Sequence, residues 1–241
     1  MKSKPSICES CSYHKQSIFG VLDSEMIARL DSYKKIYHYK AGQLIFSEGD
    51  PSFRVYHIYS GYVKLSKTGW DGEKLVIRLR GPGDIFGHRA VLSGEIYTAE
   101  AIAIVDTIVC IIPSELFLDA VKTSPDFAMR VLQRISNDLR ASEEQTMSIT
   151  HEDVSRRVAR LLLYLIEYYE ESRRKNLIIP NSLTRLEMAQ MIGTTRESFS
   201  RALYKLDNKK LIKVTRTEIQ IINLNGLRCI LHSFDSNLNF K

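Results

Sequence analysis

The sequence predicts an α+β chain: a roll of short β-strands, a long helix, and a small helical domain closed by a β-hairpin. Three observations predict it. Between Tyr37 and Ile112, short apolar stretches are punctuated by glycine- and aspartate-bearing turns, the spacing of a sandwich or barrel-like roll. From Ala128 to Ile149 a stripe recurs at steps of four and three, as along a coiled-coil seam. Around Gly193 two amphipathic helical patterns meet, and two short strand patterns follow, the order of a winged helix-turn-helix.

The bulk numbers bound these readings. A chain of 241 residues with 44% hydrophobic and 26% charged residues has an ordinary globular composition. No apolar run approaches the ~18 residues of a membrane span, and the amino terminus lacks the apolar core of a secretory signal. A cytoplasmic protein without membrane attachment is the expectation. Net charge is +6, unevenly placed. Residues 1–153 hold 18 Lys+Arg against 20 Asp+Glu, whereas 154–241 hold 16 against 8. The positive excess lies wholly in the helical half, as phosphate binding needs, although charge also serves solubility.

Residues 1–20 read as loosely structured and carry Cys8 and Cys11. A helix is expected over Asp23–Tyr33, with Ile27 and Leu30 on its apolar face. Val55, His57 and Tyr59 then alternate with Tyr56, Ile58 and Ser60, and Tyr62–Lys67 and Lys74–Leu79 also read as strands. Trp70, the only tryptophan, falls in a hairpin tip. After Pro113 the pattern turns helical. The seam positions are Leu132, Ile135, Leu139, Ser142, Thr146 and Ile149, apolar first and polar around Ser142 and Thr146. Such a helix either lies on its own roll or pairs with a second copy. Asp153 reads as the cap of a helix from Val154 to about Glu170. The expected division is 1–20 as a cysteine-bearing segment, 21–123 as the roll, 124–152 as the dimerisation helix and 153–241 as the winged helix-turn-helix.

Within that last part, Thr184 and Glu187 have capping-box spacing. Leu186, Ala189 and Ile192 are expected on one buried face, and Gly193 makes the turn. A second helix starts near Thr195, with Phe199, Leu203 and Leu206 on its apolar side. Glu197, Ser200, Arg201 and Tyr204 share the other side, with Arg196 at the first turn. Arginine can bond guanine bidentately, glutamate accepts from cytosine, and serine is permissive. Arg196, Glu197, Ser200 and Arg201 are therefore the candidate base-reading residues. Thr184, Arg185 and Thr195 are the candidate phosphate contacts. An ordinary helical hairpin with a solvated outer face would show the same spacing. Leu211–Val214 and Ile219–Ile222 flank Thr215–Glu218 as a wing.

The stretch TRLEMAQMIGTTRESFSRALYKLDNKKLI resembles the DNA-binding segment of the CRP/FNR superfamily of bacterial transcription regulators. Glu197, Ser200 and Arg201 match the E-x-x-S-R pattern of its fumarate-nitrate reduction branch, the branch this chain resembles more. Arg196 matches a base-contacting arginine of the cyclic-AMP receptor branch. The resemblance implies a half-site related to TTGA or TGTGA, a palindromic double-stranded DNA target, a homodimer joined along the seam, and RNA polymerase as a partner. GDPSFRVYHIYSGYVKL and GPGDIFGHRAVLSGEIYTAEAIA resemble the same superfamily's cyclic-nucleotide-binding-like β-roll, a jelly roll. Where cyclic-AMP binders carry a glutamate and an arginine before a small residue, this sequence has His88 and Tyr97, followed by Thr98. A buried cyclic phosphate would lack its charge partner, so cyclic AMP in the usual mode is not expected. Arg89 or Arg78 remains for another anion.

The four cysteines are Cys8, Cys11, Cys110 and Cys229. In a cytosolic protein the C-x-x-C spacing points to a metal or redox site more than to a structural disulfide. Cys110 sits in TIVCIIP, a buried strand where cysteine also serves as a small hydrophobe. Cys229 reads as packing. The resemblance implies more: in the fumarate-nitrate reduction regulator, cysteines spaced C-x2-C-x5-C join a fourth at the end of the roll to hold a [4Fe–4S] cluster. Cys8, Cys11 and Cys110 match three of those positions, and Ser17 stands at the remaining one. A cubane needs four ligands, which leaves His14 or a nearby carboxylate, or instead a thiol switch between Cys8 and Cys11. No nucleophile elbow, P-loop or zincin motif is present, so no enzyme is expected. The leading expectation is a DNA-binding regulator answering a redox- or oxygen-related signal. The other class is a small-ligand-binding β-roll protein with a helical protein-interaction domain.

Overall fold

The structure is a computed structural model that describes residues 17–170, 177–180 and 182–232. Its contacts divide the protein into two compact units, Met1–Arg140 and Ala141–Lys241. No helix among the described residues is long and apolar enough to cross a membrane.

In the first unit a short 3-10 turn, Ile18–Val21, leads into α1 (Ser24–Tyr33). Asp23 caps α1 by accepting from the Met26 N–H at 2.8 Å, and the helix buries Met26, Ile27 and Leu30. The roll follows as β1 (Lys35–Tyr39), β2 (Leu44–Phe46), β3 (Arg54–Ser60), β4 (Val63–Thr68), β5 (Lys74–Arg80), β6 (Ile85–Phe86), α2 (His88–Ser93), β7 (Glu100–Ala103), β8 (Thr107–Pro113) and α3 (Ser114–Thr123). These strands form two antiparallel sheets, β1-β8-β3-β6 and β2-β7-β4-β5.

Period-2 alternation gives β3 and β8 two different faces. Tyr56, Ile58, Val109 and Ile111 point into the roll with Phe46, Val63 and Phe86. Val55 and Ile112 point outward, under Phe19, Leu30, Phe117 and Phe127. Burial on both faces explains why these strands read as near-continuous apolar runs. At Gly61 (φ +88°) an added Cβ would lie 2.4 to 2.6 Å from atoms of Thr107 and Asp106, so only glycine fits. Trp70 is fully exposed at the β4–β5 tip, as expected.

The expectation of loose structure through residue 20 fails at its end. Ser17 and Phe19 are buried, and the Phe19 ring packs 5.5 Å from both His57 and Phe127. Phe19 joins Leu22 in this cluster, with Ile18 and Val21 packed against it.

Helix α4 runs from Pro125 to His151 and α5 from Val154 to Glu170, with Asp153 accepting from the Arg156 N–H at 3.0 Å between them. Next come β9 (Ile178–Pro180), α6 (Arg185–Met191), α7 (Arg196–Asn208), β10 (Ile212–Val214), β11 (Glu218–Ile221) and α8 (Leu224–His232). The wing is a three-stranded sheet, β10-β11-β9. Helix α5 packs Val158, Leu162 and Leu165 into a core shared with Phe199, Leu203 and Leu206 of α7 and Leu227 of α8. Arg156 donates to the carbonyls of Ile230 (3.2 Å) and Leu231 (2.6 Å), satisfying the end of α8.

Two expectations are corrected here. Leu186 is 46% exposed, and Met188 takes its place beside Ala189 and Ile192 in the core. Leu186 is only the second residue of a short helix, so the face is set by its later residues. Cys229 is exposed rather than packed, because Leu227 is the residue of α8 that faces inward.

Candidate nucleic-acid interface and sensor core

The helix-turn-helix is held by caps at both starts. Thr184 Oγ1 accepts from the Glu187 N–H at 3.1 Å, and Glu187 Oε2 accepts from the Thr184 N–H at 2.7 Å, a complete capping box. Thr195 Oγ1 accepts from the Ser198 N–H at 3.2 Å at the start of α7. Between them Gly193 has φ +61°, where a side chain would be strained and would also press on Ile149. Arg157 Nη1 donates to the carbonyls of Ile192 (2.5 Å) and Gly193 (3.0 Å), and Gln145 Nε2 to that of Met191 (2.8 Å). The last turns of α4 and the first of α5 therefore brace the turn. No spacing rule flagged Gln145 or Arg157, which meet their acceptors across 46 and 35 residues.

On α7, Phe199, Ala202, Leu203 and Leu206 are buried, while Arg196, Glu197, Ser200, Arg201 and Tyr204 are all exposed. The four base-reading candidates thus share the open side of the first two turns. Arg201 Nη2 donates to Ser198 Oγ at 3.2 Å, and Thr195 Oγ1 lies 3.1 Å from the same oxygen. A short series of hydroxyls from the cap thus orients the arginine. Of the phosphate candidates, Thr184 and Thr195 are exposed at helix starts. Arg185 differs: it is half-buried, burial lowers its affinity for the proton, and its Nη1 is buried without a partner. At the wing tip Thr215, Arg216 and Thr217 are exposed.

In the roll, His88 and Tyr97 are both buried. Desolvation first, then the Arg80 charge, lower His88 to about 4, so it is neutral near pH 7. Tyr97 stacks on Phe46 with ring centroids 4.0 Å apart and donates its hydroxyl to the Arg54 carbonyl at 2.6 Å. Burial pushes its hydroxyl well above the usual tyrosine range. Arg89 hydrogen-bonds Thr98 and is exposed.

A lattice of charges ties α4 to the roll. Arg80 Nη2 lies 2.5 Å from Asp138 Oδ2, Arg134 Nη1 lies 2.6 Å from Asp84 Oδ1, and Arg78 Nη2 donates to the Asp138 carbonyl at 3.1 Å. Burial raises the Asp138 carboxyl, but Arg80 and then Arg134 outweigh it and hold the group below the usual range. Arg78, an anion candidate from sequence, is thus engaged with α4. Along α4 the seam residues Leu132, Ile135, Leu139, Ser142, Thr146 and Ile149 are all exposed.

Cys110 lies in β8, buried, directly opposite His57 of β3. His57 is 7% exposed, with no hydrogen-bond partner at Nε2. Ser17 is buried, two residues before Phe19. Cys8, Cys11 and His14 lie outside the described residues. Among the described residues no group of three or more His, Cys, Asp or Glu is placed to hold a metal ion.

Residues 36–124 match the cyclic nucleotide-binding domain family, and residues 156–230 match the Crp-like helix-turn-helix domain family. The chain is 25% identical over 207 residues to the CRP-like cAMP-activated global transcriptional regulator of Mycobacterium tuberculosis, covering 86% of this chain and 92% of that protein. It is 24% identical over 221 residues to the anaerobic regulatory protein of Haemophilus influenzae, covering 91% and 86%. The structure of FixK2 from Bradyrhizobium japonicum superposes with a TM-score of 0.72 at 23% identity, covering 82% of this chain and 96% of that one. The two relatives carry different signals in their names at nearly equal identity, so likeness alone does not select the branch. Matched in its roll, its helix-turn-helix and its order of elements, the chain belongs to the CRP/FNR superfamily of transcription regulators.

Proposed function

We propose that this protein is a homodimeric regulator that reads a palindromic double-stranded DNA site with α7, under a signal at the β-roll other than cyclic AMP. The observation that carries the reading is the exposed row Arg196, Glu197, Ser200 and Arg201 on a helix whose other face is buried. These are the side chains suited to base edges, placed at the end of the helix that enters a major groove. Thr184, Thr195 and the exposed Lys209, Lys213 and Arg216 supply phosphate contacts that set register without reading sequence. The bare apolar start of the α4 seam supports pairing with a second copy, since Leu132 and Leu139 are 58% and 60% exposed in the lone protomer. Regulation of transcription in the cytoplasm through contact with RNA polymerase completes the reading. No catalytic role is proposed.

Helix α4 is the physical link in the mechanism. Arg134 and Asp138 engage the roll, whereas Gln145 and Ile149 engage the helix-turn-helix. A signal that shifts the balance between two positions of α4 in the dimer would change the spacing of the two reading helices. Support for a signal other than cyclic AMP comes from His88 and Tyr97, neutral and buried at the positions where the resemblance would put the nucleotide's charge partners. A redox-related signal through Cys8, Cys11 and Cys110 fits better. Cys110 is on the sheet face against which Phe19, from the cysteine-bearing end of the protein, is docked. An iron–sulfur cluster held there would supply the oxidation-sensitive chemistry. The protein's own residues would hold it and couple it to the outer face of β3 and β8.

The test is selection of bound sites from random duplex DNA with and without oxygen. Enrichment of inverted half-sites whose occupancy changes with oxygen supports the reading. Binding without sequence preference overturns it.

A further inference from the structure

We propose that Tyr204 is a further specificity-determining residue of α7, which reads a thymine by covering its C5-methyl group in the major groove. The inference rests on the base-reading role of this helix and adds an apolar contact to its polar row.

The placement comes from the helix period. Phe199, Ala202, Leu203 and Leu206 are the buried residues of α7. At ~100° per residue, Glu197, Arg201 and Tyr204 each fall within ~30° of the line opposite their centre. That line faces the floor of a groove, where base edges are displayed, whereas Lys205, ~70° to one side, faces a phosphate wall. Tyr204 lies ~4.5 Å further along the axis than Arg201. This is little more than one base step of ~3.4 Å, so Tyr204 meets a base pair next to the one that Arg201 reads.

The chemistry selects the methyl. Tyr204 is 67% exposed, and its side chain enters no hydrogen bond or ring contact among the described residues. A ring is a large apolar area that stabilises only when it is covered. Arg201 does not cover it: its Nη2 donates to Ser198 Oγ at 3.2 Å, and Ser198 lies ~120° around the helix from Tyr204. The guanidinium is thereby drawn to the far flank. One turn before Tyr204 stands Ser200, exposed and small, which leaves room for a ring that leans toward the helix start. The C5-methyl of thymine is the apolar group that the major groove displays. A phosphate would engage the hydroxyl alone and would be met from a flank rather than from the line of Glu197 and Arg201.

The experiment uses the full-length protein and the duplex site that it selects from random DNA. Each thymine of the half-site is replaced in turn by uracil, which lacks only the methyl. Fluorescence anisotropy measures binding by the wild type, Tyr204→Phe and Tyr204→Ala, and far-UV circular dichroism checks that each is folded. Tyr204 is exposed, so neither substitution opens the core. The wild type should lose ~4-fold in affinity per half-site, the worth of one covered carbon, at a thymine next to the pair whose preference Arg201→Ala removes. Tyr204→Phe should show the same penalty there and Tyr204→Ala none, with the effect of uracil elsewhere unchanged. If Tyr204→Ala keeps the wild-type penalty, if Tyr204→Phe loses it, or if no uracil weakens the wild type, the assignment is overturned and the base-reading role of α7 stands. A wild type that selects no sequence overturns both.

Discussion

Replacing Asp138 by Ala tests how α4 is attached to the roll. Asp138 Oδ2 is 2.5 Å from Arg80 Nη2 and Oδ1 is 3.7 Å from Arg134 Nε. The Arg80 side chain is only 8% exposed, so its charge cannot be handed back to water. At an effective dielectric of ~20, two unit charges ~4 Å apart interact by ~4 kcal/mol. Removing one partner from a buried pair costs ~3–5 kcal/mol, because the other is left uncompensated. Asp138 is partly exposed, at 25%, which places the expected loss near ~3 kcal/mol. Urea unfolding followed by circular dichroism measures it, and for a protein of this length ~3 kcal/mol corresponds to a drop in Tm of ~6–12 °C. Pairing Arg80→Met with Asp138→Leu should recover most of that loss, since an apolar pair leaves no orphan charge. A single-variant loss below ~1 kcal/mol, or a double variant as unstable as the single, would refute the reasoning.

Further outcomes follow from named residues. His88 is lowered to about 4 by desolvation, below the ~6.5 of an unfolded imidazole. The unfolded state therefore binds the extra proton first, and the contribution is present above pH ~6.5 and lost as pH falls toward ~4. By pH 5 it should cost ~2 kcal/mol, and His88→Phe should flatten the Tm-against-pH curve in that window. Leu139→Glu puts a charge on the bare seam and should turn a dimer into a monomer by sedimentation; an unchanged mass would count against the seam. Thr195→Ala removes the α7 cap and should cost ~1 kcal/mol in thermal or urea unfolding. Arg201→Ala should cost ~1–3 kcal/mol of DNA binding and relax one base position. Lys209→Ala should weaken all sequences alike and reduce the salt slope by ~1.

The reading helix was legible because its information is local. Phe199, Leu203 and Leu206 repeat with the helix, and the caps at Thr184 and Thr195 and the turn at Gly193 each need a residue type that the sequence displays in place. The strands of the roll were legible for the same reason, as alternation between glycine-marked turns. What escaped was set by distant partners. Arg80 meets Asp138 across 58 residues, and His57 meets Cys110 only through strand register. Strand β9 is a three-residue run whose hydrogen bonds come from β11. Leu186 and Cys229 were misplaced because short helices bury what their neighbours require, not every apolar residue that a period selects. Ser17 and Phe19 are buried although composition alone marked that stretch as loose.

The central claim is that the outer side of α7 is shaped for base-pair edges. Its most direct measurement is a comparison of sites selected from random duplex DNA by the wild type and by Glu197→Ala and Arg201→Ala. The account predicts two inverted half-sites with centres ~34 Å apart, with each variant losing preference at one base position per half-site and keeping the rest. Selection of the same sites by all three proteins, or of no common site by any of them, would contradict it.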